Sequence, residues 1–193
     1  MKKLTRADLS GLEQYATERS GLRAAVIAHK RSRRIALSPN ATLYFEDALT
    51  IRYQIQEMLR AERIFEPAEI QSELDAYNPL IPDGSNWKAT FMFEYADVEE
   101  RRQALARMSG IEHEIWVQAG AGPRIKAIAN EDLDRSTDEK TSAVHFLRFE
   151  LDAASVAAVR AGAEIRMGID HPAMPCDVEL DAASRASLAA DID

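Results

Sequence analysis

The chain has 193 residues, 46% of them hydrophobic and 29% charged, with a formal net charge of −8. That length and balance suit a soluble globular protein with a core large enough to fold without disulfides or metal staples. The lone Cys176 excludes a disulfide framework within the chain and a self-contained four-cysteine zinc or iron–sulfur site. The acidic balance argues against general nucleic-acid binding, which needs cations to neutralise phosphates.

Residues 1–35 hold nine Lys/Arg against three Asp/Glu, a net of +6; the remaining residues carry −14. Two readings of that split stay open. The basic end folds back on the acidic body, or it docks an acidic partner through Lys30, Arg31, Arg33 and Arg34. The N-terminus has basic residues with no apolar stretch after them, so it does not read as a signal peptide. No run approaches the ~18 apolar residues of a membrane span. A cytoplasmic protein in a reducing compartment is expected.

In chain order, Thr5 or Asp8 caps a first helix over Leu9, Leu12 and Tyr15, and Glu18–Arg34 reads as a second helix with basic residues at its dipole-negative end. Ser38-Pro39-Asn40 is a turn between two apolar runs, which predicts a hairpin. Asp47 caps a long helix ending near Ile64, and Pro67 opens another carrying Ile70, Leu74 and Tyr77. From Trp87 to Tyr95 the pattern alternates: Ala89, Phe91, Phe93 and Tyr95 on one face, Lys88, Thr90, Met92 and Glu94 on the other, a half-buried strand. A helix over Val98–Met108 closes at Gly110. Two strands, Glu114–Ala119 and Arg124–Ala129, flank Gly120-Ala121-Gly122-Pro123, and a charged loop covers 130–141. Ala143–Leu151 is a strand, Asp152 caps a helix ending near Gly162, Glu164–Asp170 and Cys176–Leu180 are strands, and a short helix follows Asp181. No βαβ rhythm appears. The expected fold is α+β in one domain over 1–193, with N-terminal helices on an antiparallel or mixed sheet.

The glycine pair at 120 and 122 is followed by neither a Lys-Ser/Thr pair nor a helix, so it reads as a turn, and no phosphate-loop or dinucleotide fingerprint is present. Of His29, His113, His145 and His171, no two stand at i,i+3 or i,i+4; a metal site would need assembly across elements. His145 shares a strand face with Leu147 and Phe149, as a hydrogen-bonded core histidine would. His171 ends a strand beside Asp170, where polar groups meet solvent and ligands. Cys176 reads as a structural thiol, and Lys140-Thr141-Ser142 as a loop cap. The helix after Asp47 is more distinctive. Its polar residues Arg52, Tyr53, Gln56, Glu57 and Arg60 exceed what a solvated back requires. With Asn78 and the 77–86 loop they form a candidate pocket, the arginines binding an anion and Glu57 acting as base or metal ligand.

Several blocks together resemble the bacterial domain-of-unknown-function family 3501: V-I-A-H-K-R-S-R-R (26–34), L-S-P-N-A-T-L-Y-F-E-D (37–47), R-Y-Q-I-Q-E-M-L-R-A-E-R-I (52–64), A-Y-N-P-L-I-P-D-G-S-N (76–86), K-T-S-A-V-H-F-L-R-F-E (140–150) and G-I-D-H-P (168–172). The resemblance spans essentially the whole chain and brings no assigned activity. It implies proteins encoded beside rubrerythrin-like and heterodisulfide-reductase-like iron–sulfur proteins, hence a setting in redox or peroxide metabolism.

Three readings follow. The first is an accessory or binding protein of such a system, with no electron carrier of its own, that docks an acidic or redox protein partner or holds a small anion. The second is an enzyme with a single divalent metal held by His145, His171 and a carboxylate such as Asp170 or Glu57. The third is a structural homodimer joined through an apolar stripe of Leu9, Leu12 and Leu22.

Overall fold

A computed structural model describes residues 2–131 and 140–193; most of the charged loop expected at 130–141 lies outside them. Among the described residues, six α-helices and two sheets of antiparallel strands make an α+β fold. No helix among the described residues is long and apolar enough to cross a membrane.

Thr5 and Asp8 cap each other around a short 3-10 turn, Arg6–Asp8. The chain then runs extended to Gly11, and α1 is one helix, Leu12–Lys30, in place of the two expected. It continues through Gly21, which faces open space. The ~1 kcal/mol that a mid-helix glycine costs is offset by the packing of Tyr15 and Val26, which are buried. α1 stops short of Arg34 because β1 (Arg34–Ser38) begins there, paired with β2 (Ala41–Phe45) across the 38–41 turn.

Asp47 caps α2 (Ala48–Ala61): its carboxylate accepts from the Thr50 N–H at 2.9 Å. Pro67 opens α3 (Pro67–Tyr77), followed by a 3-10 turn at Asn78–Leu80. Ile51, Ile55, Leu59, Ile70, Leu74 and Ile81 form a small core among these helices, with Leu4, Leu9 and Leu12 packed on it. Of the apolar stripe expected to pair two copies, Leu9 and Leu12 pack on this core, and Leu22 is half-buried and lines a small cavity.

β3 (Asn86–Phe93) is central in a five-stranded sheet of order β1-β2-β3-β7-β6, where β6 is Ile128–Ala129 and β7 is Val144–Glu150. The second sheet has order β5-β4-β8-β9: Ile125–Lys126, Ile115–Ala119, Ile165–Ile169 and Cys176–Glu179. The single strand expected over 124–129 is split. Residues 125–126 pair with β4, Ala127 turns, and residues 128–129 pair with β7 in the other sheet. Period two puts Phe91, Leu43, Ile35 and Leu147 on the same face as Trp87 and Phe149, and those inner positions join Ile115, Val117, Met167 and Ile169 of the second sheet in one large core. Three more helices, α4 (Val98–Arg107), α5 (Ala153–Arg160) and α6 (Ala182–Ala189), contribute Ala104, Val159 and Leu188 to that core.

Gly168 is obligatory. A Cβ there would lie 2.2 Å from the Cys176 carbonyl oxygen and 2.4 Å from the Trp116 ring, so the indole lies directly over bare backbone.

Candidate functional site

The polar face of α2 looks at the chain's own N-terminus. Gln56 holds the Ser10 backbone from both sides, accepting from its N–H at 2.6 Å and donating to its carbonyl at 3.2 Å. Glu57 accepts from the Tyr15 hydroxyl at 2.6 Å and from Arg19 at 2.7 Å through both oxygens. Arg19, then Tyr15, hold the Glu57 carboxyl down at about 2 against the opposing effect of burial. Asn78 likewise clasps the Leu4 backbone, at 2.8 and 2.9 Å. Arg52, Tyr53 and Gln56 line a cavity of about 80 Å³ with Asp8, Ser10 and Tyr15, room for little more than water. Arg60 is exposed. The polar contacts of Gln56, Glu57 and Asn78 join α2 and the 78–80 turn to the N-terminal segment.

The basic run at the end of α1 does not present one surface. Arg33, expected to meet a partner, is 2% exposed. Its guanidinium donates to the carbonyls of Phe45 (3.1 Å), Glu46 (3.0 Å) and Ser187 (3.2 Å) and binds both oxygens of the equally buried Asp191, at 2.5 and 3.2 Å. Asp47 lies 3.5 Å away and also contacts His29 at 2.5 Å. The reason is chain geometry: Arg33 ends the link between α1 and β1 and points inward, toward the C-terminal segment. Arg34 contacts Glu94 and the Tyr44 hydroxyl, each at 3.1 Å. Arg31 is exposed, and Lys30 faces a cleft described below.

The metal candidates stand apart. His145, fully buried on the inner face of β7, has Nδ1 3.0 Å from the Asn130 amide and Nε2 2.8 Å from the Thr141 hydroxyl and 3.1 Å from the Ser142 carbonyl. That network assigns Nδ1 as acceptor and Nε2 as donor. Glu112, buried as well, lies 3.9 Å from Nε2. His171 belongs to a turn after β8, in the other sheet, and Nδ1 accepts from the Ala173 N–H at 3.2 Å. Asp170 accepts from the Trp116 indole at 2.9 Å and from Arg124 at 2.8 Å. Among the described residues, no group of three His, Cys, Asp or Glu side chains could hold a metal ion. Burial raises the Cys176 thiol above its ordinary range, the opposite of an activated nucleophile.

A larger concavity lies elsewhere, between the helical layer and the outer face of the five-stranded sheet. Strand register sets that face in rows: Tyr44, Thr90 and Phe146 side by side, then Lys88 beside Arg148. Over them stand the end of α3 and the 78–80 turn. One lobe, about 520 Å³, is lined by Ala76, Tyr77, Pro79, Leu80, Lys88, Glu131, Phe146 and Arg148. A second, about 370 Å³, is lined by Lys30, Glu46, Ile51, Gln54, Thr90 and Met92. Tyr77, Leu80 and Phe146 belong to both, so the lobes adjoin. Their volumes fall in the range of small-molecule sites.

The charges in this cleft are unequally matched. Arg148 binds Glu131 at 2.8 Å through two nitrogens and Glu150 at 2.5 Å through the third. Lys88, directly opposite it, donates to the Pro79 carbonyl and forms no ion pair among the described residues. Burial, the leading cause, lowers the Lys88 pKa, with Arg148 acting in the same direction and Asp83 opposing. The cleft thus offers aromatic and aliphatic walls with an ammonium whose hydrogen-bonding capacity is only part used. This pocket was legible only in part. The spacing places Lys88, Thr90 and Met92 on one strand face, and a face mixing Lys, Met and, on β7, Phe146 is not an ordinary solvated one.

A family model described as "Protein of unknown function (DUF3501)" matches residues 3–192. Among solved structures, the chain is similar to a novel protein of unknown function from Burkholderia pseudomallei K96243, at 51% identity over 100% of both chains with a TM-score of 0.94. A search of curated proteins found no match.

Proposed function

We propose that this chain, which belongs to the DUF3501 family, is a binding protein that holds a small amphipathic anion in the cleft between α3 and the five-stranded sheet. The observation that carries the reading is the pairing of apolar walls, Tyr77, Leu80 and Phe146, with a lysine that forms no ion pair among the described residues. An exposed sheet face ordinarily carries solvated polar side chains. Here Phe146 and Met92 stand among them, half-covered by a turn that leaves room for a ligand. A ligand's apolar body would lie on Phe146 and Tyr77, and its acidic group would take the free N–H groups of Lys88. The setting in redox or peroxide metabolism, carried by the family resemblance, enters as part of the same proposal: an accessory protein that holds a molecule for partners bearing the electron carriers.

The test is titration with anilinonaphthalene sulfonate, an apolar dye carrying one anionic group, against natively folded protein. A saturable single site is expected. A charge-assisted hydrogen bond is worth ~1.5–3 kcal/mol, so Lys88→Met should weaken binding about tenfold or more. Phe146→Ala should weaken it by lost contact area. Unchanged dye affinity in both folded variants would overturn the reading.

A further inference from the structure

We infer that the Lys88 amine is a nucleophile that captures a small apolar aldehyde or ketone as an imine in the cleft; the inference rests on the cleft being a ligand site. Lys88 sits on the central strand of the sheet, so its backbone is held on both sides, by β2 and β7. Its Nζ reaches the 520 Å³ lobe under the 78–80 turn, beside Tyr77, Leu80 and Phe146. Its Nζ donates to a neutral carbonyl, that of Pro79, which does not hold a proton on the amine as a carboxylate would.

The cations around it are placed to the same effect. Arg148 faces Lys88 across the strands in register, and like charges directly opposite on one sheet face disfavour each other. Arg148 is itself held by Glu131 and Glu150, so its charge stays opposite Lys88 and lowers the pKa of that amine. Lys3 donates to the carbonyls of Asn78 and Ile81 at 2.9 and 2.8 Å, and the Lys88 charge helps to lower the Lys3 pKa. Asp83, Glu131 and Glu150 pull the other way. Burial leads, and the amine's proton affinity falls. A lysine desolvated in an apolar site beside another cation is how an amine is made nucleophilic near neutral pH.

The chemistry needs no co-reactant. The ammonium releases a proton to solvent. The neutral Nζ attacks the carbonyl carbon; the C–N bond forms as the carbonyl π pair moves to oxygen, and a proton passes from nitrogen to that oxygen. The carbinolamine takes up a proton from solvent and loses water, and the nitrogen lone pair closes the C=N bond. The product is the protonated lysine imine and one water, with no net change in protons from the starting ammonium.

The experiment uses the full chain, 3-phenylpropanal as the carbonyl probe and cyanoborohydride to trap the imine. Adducts are mapped by mass spectrometry at Lys2, Lys3, Lys30, Lys88, Lys126 and Lys140. Each unit by which the pKa falls raises the neutral fraction at pH 7 tenfold. Lys88 is therefore expected to label faster than the exposed Lys2 and Lys126, with a rate midpoint at lower pH. Lys88→Arg should lose the dominant adduct, and Phe146→Ala should slow labelling at Lys88 alone. Displacement of the dye by 3-phenylpropanol, which binds without reacting, reports the cleft separately. Displacement with Lys88 labelling no faster than Lys126 would overturn the amine's role and leave the cleft standing. Neither dye binding nor selective labelling would overturn both.

Discussion

Replacing Arg33 by Met should unfold the junction between the two ends of the chain. The guanidinium satisfies three backbone carbonyls and the carboxylate of Asp191, and both side chains are 2% exposed. Removing it leaves a buried carboxylate unpaired. Breaking one partner of a buried pair costs ~3–5 kcal/mol, a large share of the ~5–15 kcal/mol that holds a domain together. For a chain of this size each kcal/mol is worth ~2–4 °C, so the melting temperature should fall by about 6–20 °C.

The loss should depend on pH. Burial already raises the Asp191 pKa to about 6, against the pull of Arg33. A carboxyl whose folded value exceeds its unfolded value stabilises the fold fully below the unfolded value, near 3.8, and that contribution is lost as pH rises through the folded value. Without Arg33 the folded value climbs further. Asp47, which burial pushes up but Arg33, the Thr50 N–H and His29 together hold down, moves the same way. The variant should therefore lose more stability at pH 8 than at pH 5. Urea unfolding at both pH values, followed by fluorescence of Trp87, whose indole donates to the Leu188 carbonyl in the same C-terminal segment at 2.9 Å, measures this. Arg33→Met/Asp191→Leu should recover much of the loss. A single variant within ~1 kcal/mol of the parent at pH 8, or equal losses at both pH values, would refute the reasoning.

Gly168→Ala should destabilise by more than the ~1–3 kcal/mol typical of overpacking, because a Cβ would meet the rigid Cys176 carbonyl as well as Trp116; a thermal melt near that of the parent would count against it. Glu57→Gln should cost ~1–2 kcal/mol at pH 7, a figure reduced for the part-exposure of the Arg19–Glu57 pair. With a folded value of about 2 against an ordinary 4.5, the stability Glu57 contributes is present above about 4.5 and fades as pH falls toward 2, so parent and variant should converge between pH 4 and pH 2 in urea midpoints. Asn78→Ala should free the N-terminal segment it clasps at Leu4, read as faster hydrogen exchange over residues 4–10 with β3 unchanged.

Much of the local structure was legible. Asp47, Asp97, Asp152 and Asp181 each cap a helix whose third residue donates to them, and a cap requires only residues a few positions apart. The alternation from Trp87 onward places β3's faces correctly because period two is a backbone property. The polar face of α2 was legible as looking at something, but not as looking at Ser10, Tyr15 and Arg19. A hydrogen-bonding face reads the same whether its partner is a ligand or the chain's own N-terminus. The basic run shows the same limit: Arg31, Arg33 and Arg34 look equivalent in sequence, yet one is exposed, one is buried on Asp191 and one pairs with Glu94.

The sequence by itself determined the α+β class, the starts of the helices after α1, the hairpin and the inward faces of the strands, because caps, turns and periodicity act over a few residues. Only the tertiary structure decided that residues 124–129 divide between two sheets, that the C-terminal segment closes on Arg33, and that Lys88 and Phe146 share a cleft under the 78–80 turn. Those outcomes join residues tens of positions apart. Their energies come from burial and charge pairing across the packed layers, which no local pattern encodes.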